Sequence, residues 1–308
     1  MNNFIDYFYN IRVEKIIFNN KYYSFYYNGY LYNMYLIQSN VNVNSMININ
    51  RKLLGHTLVS EIIINKDGNY ISYYNNQNYM LIKIYVNINK NISLEEINYL
   101  ANSLKSEKNK VDWGILWSNK IDYLEDLINE NGKKYPILVD SFNYFVGMAE
   151  NGISYYNNIN IDKNYSYVIS HKIIRFNDTI LALYNPLNII FDYKARDIAE
   201  YIKNAFFLNN KNIYNELYNY MQYSNLLTTD VMLIVARILY PSFYFEMYED
   251  ILVDNQSEKI IVPIIDRLPE YEIYLASIIS FFKNYYDIPE INWLNKIHSQ
   301  KKEDINLH

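Results

Sequence analysis

Alternating polar and apolar positions, rich in β-branched and aromatic residues, mark the chain up to about residue 90. The segment KYYSFYYNGYLYNMYLIQ carries Asn28-Gly29 between two such runs, and an Asn-Gly pair in that place is typical of a β-hairpin. Asp67-Gly68 joins EIIIN to NYISYY, YMLIKIYV predicts a further strand, and residues 49–59 have a helical pattern. Residues 1–90 are therefore predicted to form an antiparallel sheet with one helix.

The hydrophobic period changes to that of α-helices at Ser93, where Ser93 and Glu96 have the spacing of a capping box. Predicted helices cover about 93–105, 112–131, 137–156, 195–207, 211–223, 229–252 and 269–286. Pro241 is expected to kink or restart the helix that contains it. Three short apolar segments, SYVIS, TILALY and LNIIF, predict small strands between about 166 and 191. Residues 91–308 thus form a mostly helical lobe with an embedded hairpin, and the fold class is α+β.

Composition predicts packed cores and excludes several function classes. Hydrophobic residues make up 50% of the 308, and 28 basic against 33 acidic residues give a net charge of −5. This balance disfavours sequence-independent binding to nucleic acid or to an anionic membrane. The absence of Cys excludes disulfides, thiolate metal sites and a Cys nucleophile. The 36 Tyr residues fit the drift of an AT-rich genome, so their number carries little functional information.

The amino-terminal and hydropathy patterns predict neither export nor a membrane span. The segment MNNFIDYFYNIRVEK has no basic lead and no small-residue cleavage site. The best apolar run, residues 231–236, is cut by Arg237, and it is far shorter than the roughly 18 residues of a membrane span. We expect a soluble, cytoplasmic protein with no membrane or nucleic-acid partner. Gly-x-Ser-x-Gly, Walker, Rossmann and His-Glu-x-x-His motifs are also absent from the sequence.

A stretch near the middle of the chain has the residue order of a phosphate-transfer site. His171 precedes the segment KIIRFNDTILALYNP, and Ile190-Phe191-Asp192-Tyr193 closes it. Together with the two-lobe outline, this resembles protein kinases and aminoglycoside phosphotransferases. There a loop His is followed by the catalytic Asp, an Asn comes about five residues later, and a strand ends in the metal-binding Asp. The resemblance implies a protein kinase-like two-lobe fold, with His171 as the loop histidine and Asp192 as a metal ligand.

Several short blocks follow one another in order between residues 113 and 252. They are Gly147-Met148-Ala149-Glu150-Asn151, His171-Lys172, Tyr184-Asn185-Pro186, Asp192, Arg196-Asp197-Ile198-Ala199-Glu200, and Arg237-Ile238-Leu239-Tyr240-Pro241 with Tyr244-Phe245. Together they resemble the spore-coat kinase-like proteins of Firmicutes, the YutH and CotS group. The amino-terminal lobe adds a compatible pattern and no motif.

The departures from the phosphotransferase pattern concern its catalytic groups. Ile173 stands two residues after the loop histidine, where the resemblance implies the catalytic Asp. Asn177 and Asp178 straddle the position of the metal-binding Asn, so both are candidate metal ligands beside Asp192. Only 7 glycines occur, none after Gly152, and no Gly-rich phosphate loop is present.

The phosphate-contacting lysine of the family has no clear counterpart in this chain. Gln38 stands near the end of the third predicted strand, where that lysine is sought. Lys83 lies on a later predicted strand and is the candidate nucleotide contact.

Structural explanations compete with each functional role. Asp192 has the position of a helix N-cap, and His171 of a buried histidine that supports the loop. Glu150, Asn151, Arg196, Asp197 and Glu200 suggest an inter-helix polar network. In that network we expect Arg196 or Arg237 to pair with Glu150 or Asp197, because buried charges need partners.

The leading hypothesis is a catalytically degenerate kinase-like protein, a pseudokinase. The resemblance implies a structural or scaffolding role in the spore coat, with other proteins as partners, and we assign no cofactor under this hypothesis. The alternative is an atypical phosphotransferase that uses Mg²⁺ and ATP, with Asp178 or Asp192 on the metal, and acts on a small hydroxyl compound. A third hypothesis is an interaction module without a ligand cleft.

Overall fold

The computed structural model describes residues 1–19, 22–37, 43–54, 59–85, 90–106, 111–175 and 178–295. The chain forms two compact units. The first contains Met1–Ser93 with two later segments, His171–Ile173 and Asp178–Ile190, and the second contains the rest of the chain. The division after Ser93 falls close to the predicted boundary at 90/91. The sequence did not predict the return of the two later segments to the first unit.

Strands of the first unit form one antiparallel sheet. Its elements are α1 (Asn2–Tyr9), β1 (Ile17–Phe18), β2 (Tyr22–Tyr27), β3 (Tyr30–Ile37), α2 (Val43–Leu54), β4 (Ser60–Ile63), β5 (Ser72–Tyr74) and β6 (Gln77–Ile84). The strand order is β1-β2-β3-β6-β4, and β5 pairs with β6. The predicted β2–β3 hairpin is confirmed: Asn28 and Gly29 have φ angles of 48° and 79°, as a tight type I′ turn requires.

The two helices before β4 pack on opposite faces of this sheet. Side chains alternate along a strand, so β3 presents Tyr32 and Met34 to one face, where they share a core with Phe4 and Ile5 of α1. Ile37 faces the other way and packs with Met46 and Ile47 of α2. Helix α1 was not predicted, so the described part of residues 1–90 contains two helices where one was expected.

The remaining elements are predominantly helices. They are α3 (Leu94–Ser103), β7 (Lys105–Ser106), α4 (Trp113–Asn131), α5 (Pro136–Asn157), β8 (Tyr167–His171), α6 (Ile180–Leu183), β9 (Ile189–Asp192), α7 (Ala195–Phe207), α8 (Ile213–Ser224), α9 (Thr228–Leu239), α10 (Ser242–Asp254), α11 (Val262–Asp266) and α12 (Leu268–Lys283). Strands β7, β8 and β9 form a second small sheet in that order. The predicted α+β class, an antiparallel sheet followed by a mostly helical region, is confirmed.

One strand prediction was wrong. TILALY forms the short helix α6 rather than a strand, because a run of four apolar residues suits either element and its period does not decide between them. Asp67-Gly68 lies in the turn that joins β4 to β5, although these two strands pair with β6 and not with each other. The hairpin turn of this region is Asn75-Asn76, where both residues have positive φ.

Helix α9 lies at the centre of the second unit. Its residues from Leu233 to Leu239 are all buried, and a helix that is apolar on every side is expected in a core. Within the described part of the chain, Thr228–Asp254 is long and apolar enough to cross a membrane, and 72% of its most apolar window is buried inside the protein. Core helices meet the same criteria, so this stretch is weak evidence for a membrane span.

Helix α5 crosses α9 at Gly152. A Cβ atom at this position would lie 3.0 Å from the carbonyl oxygen of Ala236 and 3.2 Å from the backbone nitrogen of Tyr240. Backbone atoms cannot move aside as the end of a side chain can, so only glycine allows this distance between the helices. Gly147, on the same helix, has no atom within 4 Å of the corresponding position.

These two glycines give a matched pair of variants. Gly152→Ala should lower the stability by about 1–3 kcal/mol, because the added methyl group pushes α5 away from α9. Gly147→Ala should raise it by about 0.5–1 kcal/mol, because alanine restricts the unfolded chain and favours the helix. Thermal unfolding monitored by circular dichroism measures both. Equal melting temperatures for the two variants would show that the close approach at Gly152 is not required.

Candidate functional site

The loop that follows β8 begins with a buried histidine. His171 is 1% exposed, and its Nε2 atom lies 2.8 Å from the carbonyl oxygen of Leu183, to which it donates a hydrogen bond. Both residues belong to the first unit. The imidazole therefore supports the segment around α6 through this bond.

Asn188 fixes the backbone at the position of the expected catalytic aspartate. Its Oδ1 accepts from the backbone nitrogen of Ile173 at 3.1 Å, and its Nδ2 donates to the Ile173 carbonyl at 2.8 Å. The Asn188 backbone carbonyl accepts from the nitrogen of Lys172 at 2.8 Å. Ile173 is thus held at both backbone groups, and the residue is 37% exposed. An aliphatic side chain at this position neither accepts a proton nor binds a metal.

The structure gives less information on the candidate metal ligands of this loop, Asn177 and Asp178. Asp178 is half-buried in the first unit. It precedes a short antiparallel bridge between Thr179 and Asn91. Asn177 and Gln38 lie outside the described residues. The assignment of Asn177 and Asp178 as metal ligands stays a prediction.

Asp192, at the end of β9, is surrounded by donors from the second unit. Its Oδ1 accepts from the indole nitrogen of Trp113 at 3.0 Å and from the backbone nitrogen of Tyr193 at 2.7 Å. Its Oδ2 accepts from Nη1 of Arg196 at 2.6 Å. The side chain is 2% exposed. The sequence located Asp192 at the strand end but did not reveal that Trp113 reaches it.

Lys83 lies on β6 between two aromatic rings. Its Nζ is 3.9 Å from the ring centre of Tyr30 and 4.3 Å from that of Tyr85, and such contacts between a cation and ring faces are attractive. Lys83 pairs across the sheet with Tyr32, whose side chain faces the core formed with α1. Its side chain is therefore on the face opposite α2. A nucleotide contact by Lys83 stays a prediction.

Glu200 is the centre of a buried ionic network in the second unit. Its Oε1 accepts from Nζ of Lys203 at 2.9 Å and lies 2.8 Å from Nη2 of Arg237. The hydroxyl of Ser242 donates to the same carboxylate at 3.1 Å. Burial by itself would raise the pKa of Glu200, but the charges of Lys203 and Arg237 outweigh it and lower the pKa to about 2. The network therefore keeps Glu200 ionised and joins α7, α9 and the start of α10.

The predicted polar network exists with different partners. Arg237 pairs with Glu200 and Arg196 pairs with Asp192, whereas Glu150 is exposed. Glu150 lies off the buried stripe of α5, which runs through Phe145, Ala149 and Gly152 and their neighbours. Glu200 also pairs with Lys203. The i,i+3 spacing of these two residues was the local feature from which this pair could have been predicted.

The described residues contain no group of three or more His, Asp or Glu side chains that could hold a metal ion. The described part of the loop has a backbone that is held at Ile173, and an aliphatic side chain stands there where the resemblance implies the catalytic aspartate. The site also contains a strand-end carboxylate that is already paired.

A family model described as "Spore coat putative kinase YutH" matches residues 2–275 of the chain. The Endospore coat-associated protein YutH of Bacillus subtilis (strain 168) is 26% identical over 211 residues, which are 60% of this chain and 61% of that protein. The match thus spans less than two thirds of the relative's length.

Solved structures with a similar fold are phosphotransferases. An aminoglycoside phosphotransferase from Alicyclobacillus acidocaldarius superposes with a TM-score of 0.61 at 11% identity, covering 88% of this chain and 93% of that one. The AMP-bound spectinomycin phosphotransferase gives a TM-score of 0.55 at 13% identity over 93% and 94% of the two chains. The same enzyme with ADP and spectinomycin gives 0.54. The predicted kinase-like fold is confirmed by these likenesses.

Glu246 gives the second unit a pH-dependent stability near neutrality. Burial, and then the neighbouring charge of Glu200, raise its pKa to about 7 from 4.5, although Arg175 opposes the shift. Because the folded state binds this proton more tightly, stability should fall as the pH rises from about 4.5 to about 7. Glu246→Gln should remove this loss, so the melting temperature of the variant relative to wild type should rise between about pH 4.5 and pH 8.

The matched control is Glu270→Gln. Glu270 has a 67% exposed side chain that pairs with Arg267. The difference in melting temperature between the Glu270→Gln variant and wild type should be nearly constant over the same pH range. A constant difference for Glu246→Gln as well would contradict the raised pKa.

Proposed function

The chain belongs to the family of YutH spore coat kinase-like proteins, and from this premise we propose that it is a catalytically degenerate kinase-like protein with a structural or scaffolding role in the spore coat. Its ligands in this role are other coat or scaffold proteins. The observation that carries the proposal is Ile173 at the loop position of the catalytic aspartate.

Phosphoryl transfer depends on positioning and charge neutralisation. A carboxylate accepts the proton of the attacking hydroxyl, and metal ions neutralise the phosphates. Ile173 supplies neither a proton acceptor nor a metal ligand. Two hydrogen bonds between its backbone and the Asn188 side chain hold Ile173 in one conformation, so a different local arrangement at this residue would first have to break both bonds.

The coat assignment draws on the family and on the relative. The Bacillus subtilis relative is named as endospore coat-associated, and the family model is described as a spore coat family. A coat component needs surfaces for neighbouring proteins rather than a reaction. This supports a role that does not depend on phosphate transfer.

The alternative, an atypical Mg²⁺- and ATP-dependent phosphotransferase, is favoured by one observation. A spectinomycin phosphotransferase of similar fold has been solved with AMP and with ADP. Under this alternative the chain binds ATP. Because position 173 is not acidic, an acidic residue elsewhere in the chain activates a small hydroxyl compound.

Phosphate transfer from labelled ATP separates the two functions. Wild type and Ile173→Ala, incubated with Mg²⁺, γ-labelled ATP and a panel of hydroxyl compounds, should give the same signal as a blank without protein. An absent catalytic base typically costs about 10²–10⁴-fold in rate, so the assay should include an active aminoglycoside phosphotransferase as a positive control. A phosphate-transfer activity that co-purifies with the wild-type chain and gives a signal above the blank would favour the phosphotransferase function.

Coat association should not depend on residue 173. The native gene is deleted from the host bacterium, and the wild-type or the Ile173→Ala chain is expressed in its place. The two chains should be present in equal amounts in the coat fraction of the spores, as measured by immunoblot. Immunoblots of whole sporulating cells control for expression. A chain that is expressed in the cell but absent from the coat fraction would contradict the structural role.

A further inference from the structure

Both oxygens of the Asp192 carboxylate already have donors. Trp113 and the backbone of Tyr193 donate to Oδ1, and Arg196 donates to Oδ2 at 2.6 Å. Trp113 is completely buried and Asp192 nearly so. The hydrogens of these donors occupy the directions from which a cation would approach the oxygens.

The phosphotransferase fold implies Mg²⁺ at this strand end, and the residues present do not fit it. Mg²⁺ requires near-ideal octahedral geometry and keeps several of its waters when it is held by one or two carboxylates. A carboxylate that is 2% exposed and faces an indole and a guanidinium leaves no space for a hydrated ion. Both neighbouring groups also present positive charge density to it.

The charges around Asp192 also disfavour a metal ion at this carboxylate. The ion pairs of this region join three cations, Arg196, Lys203 and Arg237, to two carboxylates, Asp192 and Glu200. The guanidinium carbon of Arg237 lies 5.0 Å from the ring centre of Trp113, the residue that donates to Asp192. A divalent cation at Asp192 would lie beside the Arg196 guanidinium, and repulsion between like charges is strong where water is excluded.

We propose that the Arg196 guanidinium is the permanent counter-ion of Asp192 and takes the place of the metal ion that the fold implies. Asp192 is then a structural residue that joins the end of β9 to α7 and α4. This inference rests on the proposed function and extends it from the missing catalytic carboxylate to the metal position. Its test does not depend on activity.

Paramagnetic broadening by Mn²⁺ tests the site directly. The chain has 3 Trp residues, so selective ¹⁵N labelling gives a simple spectrum of indole N–H signals, assigned with Trp117→Phe and Trp293→Phe. The indole nitrogen of Trp113 lies 3.0 Å from Asp192, and Mn²⁺ bound to that carboxylate would abolish its signal. We expect stoichiometric Mn²⁺ to leave the Trp113 signal intact. Loss of the Trp113 signal at stoichiometric Mn²⁺, together with that of Trp117, whose ring centre lies 5.2 Å from that of Trp113, and reversed by excess Mg²⁺, would overturn the inference.

A double-mutant cycle tests the ion pair. Asp192→Asn and Arg196→Gln should each lower the melting temperature by more than about 6 °C, because each leaves a buried group without its partner. The double variant should lose less than the sum of the two. Glu270→Gln, which removes the i,i+3 ion pair of the 67% exposed Glu270 with Arg267, is the control and should change little.

Additive losses in the cycle would contradict the pairing of Asp192 with Arg196. If Arg196→Gln does not fold, Arg196→Lys keeps the charge and replaces it in the cycle. A chain that bound Mn²⁺ at Asp192 but transferred no phosphate would overturn this inference and leave the proposed function in place.

Discussion

The carboxylate of Glu200 holds three helices of the second unit in register. It receives hydrogen bonds from Lys203 on its own helix, from Arg237 on α9 and from Ser242 at the start of α10. Residues 233–239 of α9 are all buried, and apolar side chains on every side specify rotation about the helix axis less strongly than directional hydrogen bonds do. Removing one partner of a buried ionic network costs about 3–5 kcal/mol. We therefore infer that the network fixes the rotation of α9.

The strand-end carboxylate is linked to this network through shared neighbours. Arg237 bonds to Glu200 with its guanidinium and lies over the ring of Trp113. Trp113 in turn donates to Asp192. The acidic residue that the family pattern places at a metal site therefore belongs, by its contacts, to the same structural framework as the core helices.

Sequence reasoning succeeded where the determining interactions are local. Asn28-Gly29 specifies its hairpin through backbone conformations that these two residues adopt readily. The partner of Arg237 could not be predicted from the sequence, because Glu200 lies 37 positions away and only tertiary packing brings α7 against α9. The role of Asn188 was equally hidden. Its carboxamide acts on a residue 15 positions earlier, and in a chain so rich in asparagine no local feature distinguishes it.

Ile173 and Arg196 depart from phosphotransfer chemistry in different ways. At Ile173 an aliphatic side chain stands where the family pattern has the catalytic carboxylate, although both backbone groups of this residue are held by Asn188. At Asp192 the reacting group is present but a guanidinium occupies it. A chain under selection for its shape would keep the hydrogen bonds at Ile173 and Asp192 whether or not it transferred phosphate. These bonds therefore support the proposed role as a scaffold, because such a role requires the fold itself.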